Sequence, residues 1–528
     1  MEKGCLACRL QGSGRDGFAM VAWAAALAAL VPVAGCGSKP PPQEPAPPQA
    51  GREEVREEYF VHYLDGSRVG RGRTTIRPLD EDGSILHIEG ATTSIFARFG
   101  EPLEQTIRFT SRERADDGTV LEYSTEMDLG PTPVRAQARL EDGSLVVVAE
   151  TEGHTSQTSI PWREGDRGFL GIEQSLREEP MAPGESRTVR CLEPSMNEMI
   201  QVRMAAAQWE DVRLPARRAE LLRVEAVFRG PDGLPVAMTH WTDREGRILK
   251  SRFPAMGLEV FSATREEALA EFDDPLFDVG MASVVPVRPP AASAHTQPVM
   301  QYRVRLRDED PVAVFPAGPT QEVRHTGDRE AEITVRAVRG DEEPAEPPAE
   351  EPPGEGDLAA NHFVQSDAPR IREMAARIAP AERDPWRLAV ALEQFVHEHV
   401  AEKNLSHSFA TAVEVAEMGE GDCTEHAVLL AALARARGIP ARAVIGLVYV
   451  ESQEAFAYHM WNEVYVADRW VPLDGTLGRG GIGAGHLKLA HSDLPGTTAL
   501  PFFLPVTRLL GQLEVEVVSP EPENEGSP

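Results

Sequence analysis

The chain has 528 residues, 41% of them hydrophobic, which predicts several globular domains because a single core rarely exceeds about 250–300 residues. Its formal net charge is −31, with 84 acidic side chains against 53 basic ones. Such a surface repels phosphate backbones, so the composition argues against a nucleic-acid partner.

The first 35 residues have the pattern of a secretion signal. Residues 1–17 are weakly basic, and Phe18 to Val33 form an apolar run that is too short for a transmembrane helix. The run ends in Val33-Ala34-Gly35-Cys36, which resembles a bacterial lipoprotein signal. Residues 1–35 are therefore expected to be removed and Cys36 to carry lipid. An ordinary secretory signal followed by a chance cysteine is the alternative.

Residues 36–52 are rich in proline and polar side chains, which predicts an extended tether. A lipid on Cys36 would make the membrane a partner and place the protein in the cell envelope, facing the periplasm or the exterior. Of the five cysteines, only Cys191 and Cys423 lie outside the signal and the lipidation site. They fall in different predicted domains, so we expect no disulfide between them.

Residues 53–273 predict one strand after another. Asp65-Gly66, Asp142-Gly143 and similar pairs separate runs of alternating polarity, and such pairs are hairpin signals. We predict an antiparallel β-rich domain, curved or sandwiched. This region contains no group of a nucleophile, a base and an acid at a convincing spacing. It could bind an envelope partner or a lipid, and the sequence does not distinguish these two alternatives.

The middle of the chain predicts weaker structure. Residues 274–339 indicate a connector followed by a small β module, and residues 340–357 an acidic, proline-rich linker that cannot bury a core of its own. Residues 519–528 are predicted to be a disordered tail.

Residues 358–518 alternate helical and strand patterns, so the whole chain is predicted to be a multidomain α+β protein. Asp422 is a plausible N-cap for a helix over 424–437, and Gly438 with Pro440 ends it. Two apolar strands over 441–450 and 457–466 follow, and residues 470–473 return beside the second.

This order places three reactive residue types at the ends of elements. Cys423 begins the helix, where the helix dipole and an imidazolium favour the thiolate. His459 lies on the second strand and Asp474 follows the returning strand, so they are candidates for the base and for the acid that fixes its tautomer. The alternative is a buried, unreactive cysteine. Cys423 and His426 have the spacing of two ligands of a metal site, but no second pair of ligands accompanies them. We therefore expect neither a metal nor another cofactor.

Several ordered blocks resemble the transglutaminase-like superfamily, a papain-like thiol fold. They include Gly421-Asp422-Cys423, His459-Met460-Trp461 and Trp470-Val471-Pro472-Leu473-Asp474. The resemblance implies that Cys423 is the nucleophile, His459 the base and Asp474 the third member. The family's usual Asp-Pro-Thr is Asp474-Gly475-Thr476 here, which loosens the backbone after the acid.

The hairpin register predicts one difficulty for this triad. A two-residue turn at Asp468-Arg469 would place Asp474 opposite Glu463 rather than His459. A bulge, or departure from the ladder near Pro472, is therefore expected to bring the carboxylate toward the imidazole.

The expected function is that of an envelope-anchored thiol enzyme acting on peptide or glutamine-type amide bonds through a thioester acyl-enzyme. Its substrate partner would be a protein or peptide. Water as acceptor would make it a peptidase or amidase, and an amine would make it a transglutaminase. The Cys423 backbone N–H is one candidate oxyanion donor. A non-catalytic peptide-binding or scaffolding module on the envelope is the alternative, and lipid or lipoprotein carriage by the β-rich half is a third hypothesis.

Overall fold

The computed structural model describes residues 55–98, 100–128, 133–151, 154–193, 196–230, 235–271, 275–341, 351–402, 409–496, 500–509 and 511–518. The predicted signal over 1–35, the tether over 36–52 with Cys36, and the tail over 519–528 lie outside these residues, as do positions 342–350 of the predicted linker. The part of the chain that the structure describes holds no helix long and apolar enough to cross a membrane.

The first half of the chain forms one antiparallel sheet of 14 strands. The strands are β1 (Arg56–Leu64), β2 (Ser67–Pro78), β3 (Ile85–Arg98), β4 (Glu101–Arg114), β5 (Val120–Asp128), β6 (Val134–Glu141), β7 (Ser144–Thr151), β8 (His154–Pro161), β9 (Ser186–Glu193), β10 (Glu198–Arg213), β11 (Arg218–Arg229), β12 (Pro235–Thr242), β13 (Ile248–Phe253) and β14 (Leu258–Ala263). Their spatial order is β8-β7-β6-β5-β4-β3-β2-β1-β14-β13-β12-β11-β10-β9, so the first and last strands in sequence are neighbours.

Tight turns connect these strands, as the sequence predicts. Asp65 and Gly66 have φ angles of 44° and 84°, and Asp142 and Gly143 have φ angles of 47° and 79°. Two consecutive positive φ angles match the twist that antiparallel neighbours require. Helix α1 (Gly171–Glu178) packs against β9, and helix α2 (Arg265–Leu269) follows the last strand. The predicted antiparallel β-rich region is therefore confirmed.

A four-stranded sheet follows the connector, which itself contains helix α3 (Val279–Ala282) and the short strand β15 (Val285–Pro286). The four strands are β16 (Val299–Leu306), β17 (Gln321–Gly327), β18 (Glu330–Arg336) and β23 (Leu513–Val518), in the order β17-β18-β16-β23. The final strand of the described chain thus completes the small β module.

The C-terminal α+β domain, also confirmed, has helices on one sheet. The helices are α4 (Pro369–Arg377), α5 (Pro385–His399), α6 (Ala412–Met418), α7 (Cys423–Ala436) and α8 (Leu500–Thr507), and the strands are β19 (Ala441–Val450), β20 (Ala455–Val466), β21 (Arg469–Leu473) and β22 (His486–Ser492). The sheet order is β15-β20-β19-β22, with β21 also pairing β20. Helix α7 packs on β20, where the Asn462 side-chain amide donates to the Ala427 carbonyl at 2.9 Å.

Hydrogen bonds cross the boundaries drawn from the sequence. Val285 pairs with Phe456, and the Tyr302 hydroxyl donates to the Ala484 carbonyl at 2.8 Å. The side chain of Gln321 makes two hydrogen bonds with the Lys488 backbone, each 2.9 Å long. The connector and the small β module are therefore packed directly against the sheet that carries His459.

Candidate active site

Cys423 is the first residue of α7, and the sequence around it builds a complete helix N-terminus. Asp422 is the N-cap, and its carboxylate accepts the Thr424 backbone N–H at 2.7 Å. Glu425 reciprocates by accepting the Asp422 N–H at 2.9 Å, which forms a capping box. Because these bonds fix the entry of the chain into the helix, the Cys423 side chain has a defined direction. It is 1% exposed.

Gly421 is required immediately before this cap. Its φ angle is 151°, and a Cβ there would lie 2.5 Å from the Cβ of Glu425. The Gly-Asp-Cys order thus has a steric basis, because a side chain would displace the capping residue.

His459 and Asp474 form the central hydrogen bond of the site. His459 lies on β20, and its Nε2 is 2.8 Å from Oδ2 of Asp474. Both side chains are completely buried. The expected pair is therefore in contact.

The expected turn position was wrong by one residue. The turn of the β20–β21 hairpin is Ala467-Asp468, with φ angles of 50° and 57°, and Val466 pairs with Arg469. This register places Pro472 opposite Glu463, and the ladder ends with Asn462 paired to Leu473. No bulge interrupts it. Asp474 instead follows the end of the ladder. In this register it lies two residues nearer to His459 than it would in the predicted register.

Four donors surround the Asp474 carboxylate. Oδ2 accepts from His459 and, at 3.0 Å, from Nε2 of His486, while Oδ1 accepts the Thr476 and Leu477 backbone N–H groups at 2.9 and 3.3 Å. Burial opposes ionisation of Asp474, but the charge interaction with His459 and the hydrogen bonds from His459 and His486 hold its pKa well below the usual value. Asp474 is therefore a carboxylate, and both imidazoles donate to it.

His486 is the residue that sequence reasoning missed most clearly. It begins β22, and burial lowers its pKa to about 4 although the hydrogen bond to Asp474 acts in the opposite direction. Its ring lies edge-on to Trp461 at 5.1 Å and to His295 at 5.7 Å between centroids. No motif marks His486, since its role depends on a strand pairing between distant segments.

Glu393 is a second missed residue. This buried carboxyl on α5 accepts backbone N–H groups from Asp474 at 2.9 Å, Gly480 at 2.6 Å and Gly481 at 3.2 Å. Burial raises its pKa to about 7. Glu393 thus fixes the backbone that carries the acid, although it lies 81 residues before Asp474 in the chain.

A buried ion cluster stiffens the same strand. Glu463 on β20 bonds to Arg442 through Nη2 at 2.6 Å and to Lys488 at 2.7 Å. Arg442 also stacks over Trp470, with its guanidinium carbon 3.9 Å from the ring centroid. Since all four side chains are buried and come from β19 to β22, they hold the sheet that positions His459.

The first turn of α7 lies next to the segment after Asp474. A Cβ on Gly475 would be 3.5 Å from the Cβ of His426, one turn beyond Cys423. The Nδ1 of His426 is bonded to the Asp422 carbonyl at 2.5 Å, so His426 braces the cap. The first turn of α7 therefore lies beside the segment that follows Asp474, and Asp474 contacts His459 on β20. Cys191 lies on β9, and neither described cysteine forms a disulfide.

One group of side chains in the described ranges has the composition of a metal site. The ligand atoms of His459, Asp474 and His486 lie within 4.8 Å of one another. Both imidazoles, however, donate to one carboxylate oxygen, and a metal would have to replace both shared protons. The Nδ1 of His486 has no hydrogen-bond partner here, whereas a metal-bound imidazole usually donates its other N–H. The group fits hydrogen bonding better than metal ligation.

The domain that carries this site is similar to a known family. The model of the transglutaminase-like superfamily matches residues 372–475, which include Cys423, His459 and Asp474. Among solved structures, a candidate cysteine protease from Cytophaga hutchinsonii is 15% identical with a TM-score of 0.28, covering 43% of this chain and 88% of its own.

Two further structures overlap the chain. A β-barrel-like protein with a domain of unknown function from Brucella abortus is 12% identical with a TM-score of 0.30, covering 40% of this chain and 96% of its own. A candidate protease from Parabacteroides distasonis is 9% identical with a TM-score of 0.18, covering 70% of this chain and 68% of its own. A search of curated proteins gives no match.

Proposed function

The chain contains a transglutaminase-like superfamily domain, and we propose from this premise that the protein is a thiol enzyme acting on peptide or glutamine-type amide bonds. Cys423 is the proposed nucleophile, His459 the base and Asp474 the orienting acid. The observation that carries the proposal is the buried 2.8 Å bond between His459 Nε2 and Asp474 Oδ2, on a strand against which the Cys423 helix packs.

The tautomer of His459 supports these roles. Because Nε2–H donates to the Asp474 carboxylate, Nδ1 carries the lone pair of the neutral ring and is the nitrogen that can accept a thiol proton. Asp474 stabilises the imidazolium that forms. This division of labour between the two ring nitrogens is the one that a cysteine–histidine pair requires.

The helix start supports a thiolate on Cys423. The dipole of α7 favours negative charge at its first residue, and the charge on Asp422 opposes it. Burial raises the pKa of Glu425 to about 8, with Asp422 adding to the shift, so Glu425 adds little negative charge there at neutral pH. We propose the Cys423 backbone N–H as one donor to the oxyanion.

In the proposed reaction, His459 takes the thiol proton and the Cys423 sulfur attacks the amide carbonyl carbon. The tetrahedral intermediate collapses, the proton passes to the leaving amine, and a thioester remains. Water or a primary amine then attacks the thioester and gives a proton to His459. The products are a carboxylic acid or a new amide, and the thiol is restored.

Covalent labelling of the proposed nucleophile tests this proposal. The full-length protein is incubated with an electrophilic glutamine-mimicking peptide, and the adduct is located by mass spectrometry. We expect one adduct, on Cys423, that persists in Cys191→Ala and is lost in Cys423→Ala. Ammonia leaves in both reactions, so the mass of the product peptide separates them: water converts glutamine to glutamate, and a primary amine becomes attached to the peptide. Absence of any Cys423 adduct would favour the non-catalytic peptide-binding or scaffolding alternative.

We also propose that the enzyme is held in the cell envelope by lipid on Cys36. This rests on the sequence alone, namely the apolar run before Cys36 and the proline-rich stretch after it. A tether of that composition would let the domains reach protein or peptide substrates at some distance from a membrane surface.

A further inference from the structure

We propose that His486 is a further positioning residue of this site, which holds the Asp474 carboxylate toward His459 by donating its Nε2–H. The inference deepens the proposed function and depends on it, because a positioned carboxylate matters only if His459 acts as a base. His486 does not touch substrate in this proposal. It acts through Asp474.

The hydrogen-bond geometry carries the argument. Two imidazoles from different strands donate to the same oxygen of Asp474, His459 at 2.8 Å and His486 at 3.0 Å. Because the second donor approaches from β22, the carboxylate is held from two directions. The Thr476 and Leu477 backbone N–H groups hold Oδ1, and His486 adds a side-chain donor to Oδ2, the oxygen that faces His459.

The charge state of His486 suits a holding role. Burial lowers its pKa to about 4, so the ring is neutral at ordinary pH and still donates one N–H. A charged group at this position would compete with the His459 imidazolium for Asp474. A neutral donor fixes the carboxylate while leaving its negative charge available to His459.

The His486 ring is itself fixed by its neighbours. Trp461 lies 5.1 Å away with an interplanar angle of 73°, and His295 lies 5.7 Å away at 74°. His295 is in turn bonded through Nε2 to the Tyr449 carbonyl at 2.7 Å. His295 belongs to the predicted connector, so that segment supports the site through His486.

The local backbone explains why Asp474 benefits from a second side-chain bond. Asp474 has left the β20–β21 ladder, which ends at Leu473, and the next residue is Gly475. Glycine restricts the chain less than proline would at that position. The His486 donor on β22 adds a side-chain restraint to the backbone restraints that Glu393 supplies.

The test separates thiol attack from general-base hydrolysis with p-nitrophenyl acetate as the probe. The Cys423 sulfur attacks the ester carbonyl, p-nitrophenol leaves in a burst, and water hydrolyses the thioester with His459 as base. The burst amplitude reports the fraction of folded, reactive molecules, and the later steady rate per burst-competent molecule reports deacylation. Deacylation requires an oriented base and is the informative rate.

Three variants decide the outcome. His486→Phe keeps a ring beside Trp461 and removes the hydrogen-bond donor. We expect deacylation to slow about tenfold, which corresponds to the lower end of the free energy contributed by a hydrogen bond to a charged group. His486→Gln places an amide N–H near the position of Nε2 and should restore most of the rate. His325→Phe, at an exposed histidine on β17 outside the site, should match the wild type.

Each result supports or overturns a specific statement. Wild-type deacylation in His486→Phe would overturn the role of His486 and leave the proposed function intact. Equal losses in the Phe and Gln variants would assign His486 to packing alone. A wild type with no burst would overturn the proposed function itself. If His486→Phe gives no burst, His486→Asn replaces it, because its shorter amide cannot reach Asp474 from that position.

Discussion

His459 and Asp474 are hydrogen-bonded although they are not a cross-strand pair. Their Nε2 and Oδ2 atoms are 2.8 Å apart, while the β20–β21 ladder ends where Asn462 pairs with Leu473. If the ladder continued for one more residue, Asp474 would lie opposite Trp461. Trp461 and His459 lie two residues apart on β20, so their side chains are on the same face of the sheet. The Asp474 carboxylate contacts His459, two residues along that face from Trp461, because the Asp474 backbone has left the ladder.

The first prediction concerns thiol reactivity. Iodoacetamide at about pH 6 should modify Cys423 much faster than Cys191, measured by mass spectrometry of the two cysteine peptides. Burial raises the pKa of Cys191 to about 12, with nearby carboxylates adding to the shift, so it holds almost no thiolate. Cys423 instead lies at a helix N-terminus, and that helix packs on β20, the strand that carries His459.

Variants of the same site sharpen this measurement. His459→Ala should slow alkylation of Cys423 sharply, and Asp474→Ala should slow it less, because orientation is a weaker requirement than charge. Cys191 serves as the internal control for unfolding, since a general loosening would raise its rate. Equal alkylation of Cys423 in wild type and His459→Ala would contradict the catalytic assignment.

The second prediction concerns the pH dependence of stability through Glu393. Burial raises its pKa from 4.5 to about 7, so the folded state binds the proton more tightly than the unfolded state. Its contribution to stability is therefore fully present below about pH 4.5 and is lost as the pH rises through about 7. Between pH 5 and pH 8, the Tm of the wild type should fall relative to that of Glu393→Gln.

The matched control for this experiment is Glu398→Gln on the same helix. Glu398 is exposed, so its variant should follow the wild type at every pH. A constant difference in Tm between wild type and Glu393→Gln across the range would show that the Glu393 carboxyl does not titrate as expected.

The third prediction concerns the unit that folds. A fragment covering 275–518 should melt cooperatively, and a fragment covering 358–518 should melt at a lower temperature or be insoluble. The shorter fragment deprives β23 of its partner β16 and β20 of its partner β15, which leaves unpaired strand edges. Thermal melting of both fragments checks this, and identical melting curves would contradict it.

The fourth prediction concerns Cys36. Radiolabelled fatty acid should enter the wild type and not Cys36→Ser when both are expressed in a bacterial host. A single acyl chain binds membranes only marginally, so stable anchoring would require more than one chain. Equal labelling of the two proteins would contradict lipidation at this residue.

Local chemistry in the sequence was sufficient for the elements that carry the reactive groups. The Asp422 cap and the run of helix formers predict α7 with Cys423 at its start, and paired Asp-Gly turns predict the antiparallel sheet. These features depend on neighbours within a few residues, which is the range over which capping and turn propensity act. The family resemblance rests on the same short blocks.

Tertiary structure decided the rest of the site. The turn at Ala467-Asp468 differs from the expected one by a single residue, and local propensity does not distinguish two such registers as sharply as packing of both strand faces does. Glu393, His486 and His295 approach Asp474 or one another from segments far apart in sequence. These polar groups are brought together when the helices and the sheet pack into one core. They pair there because a buried polar group without a hydrogen-bond partner costs folding free energy.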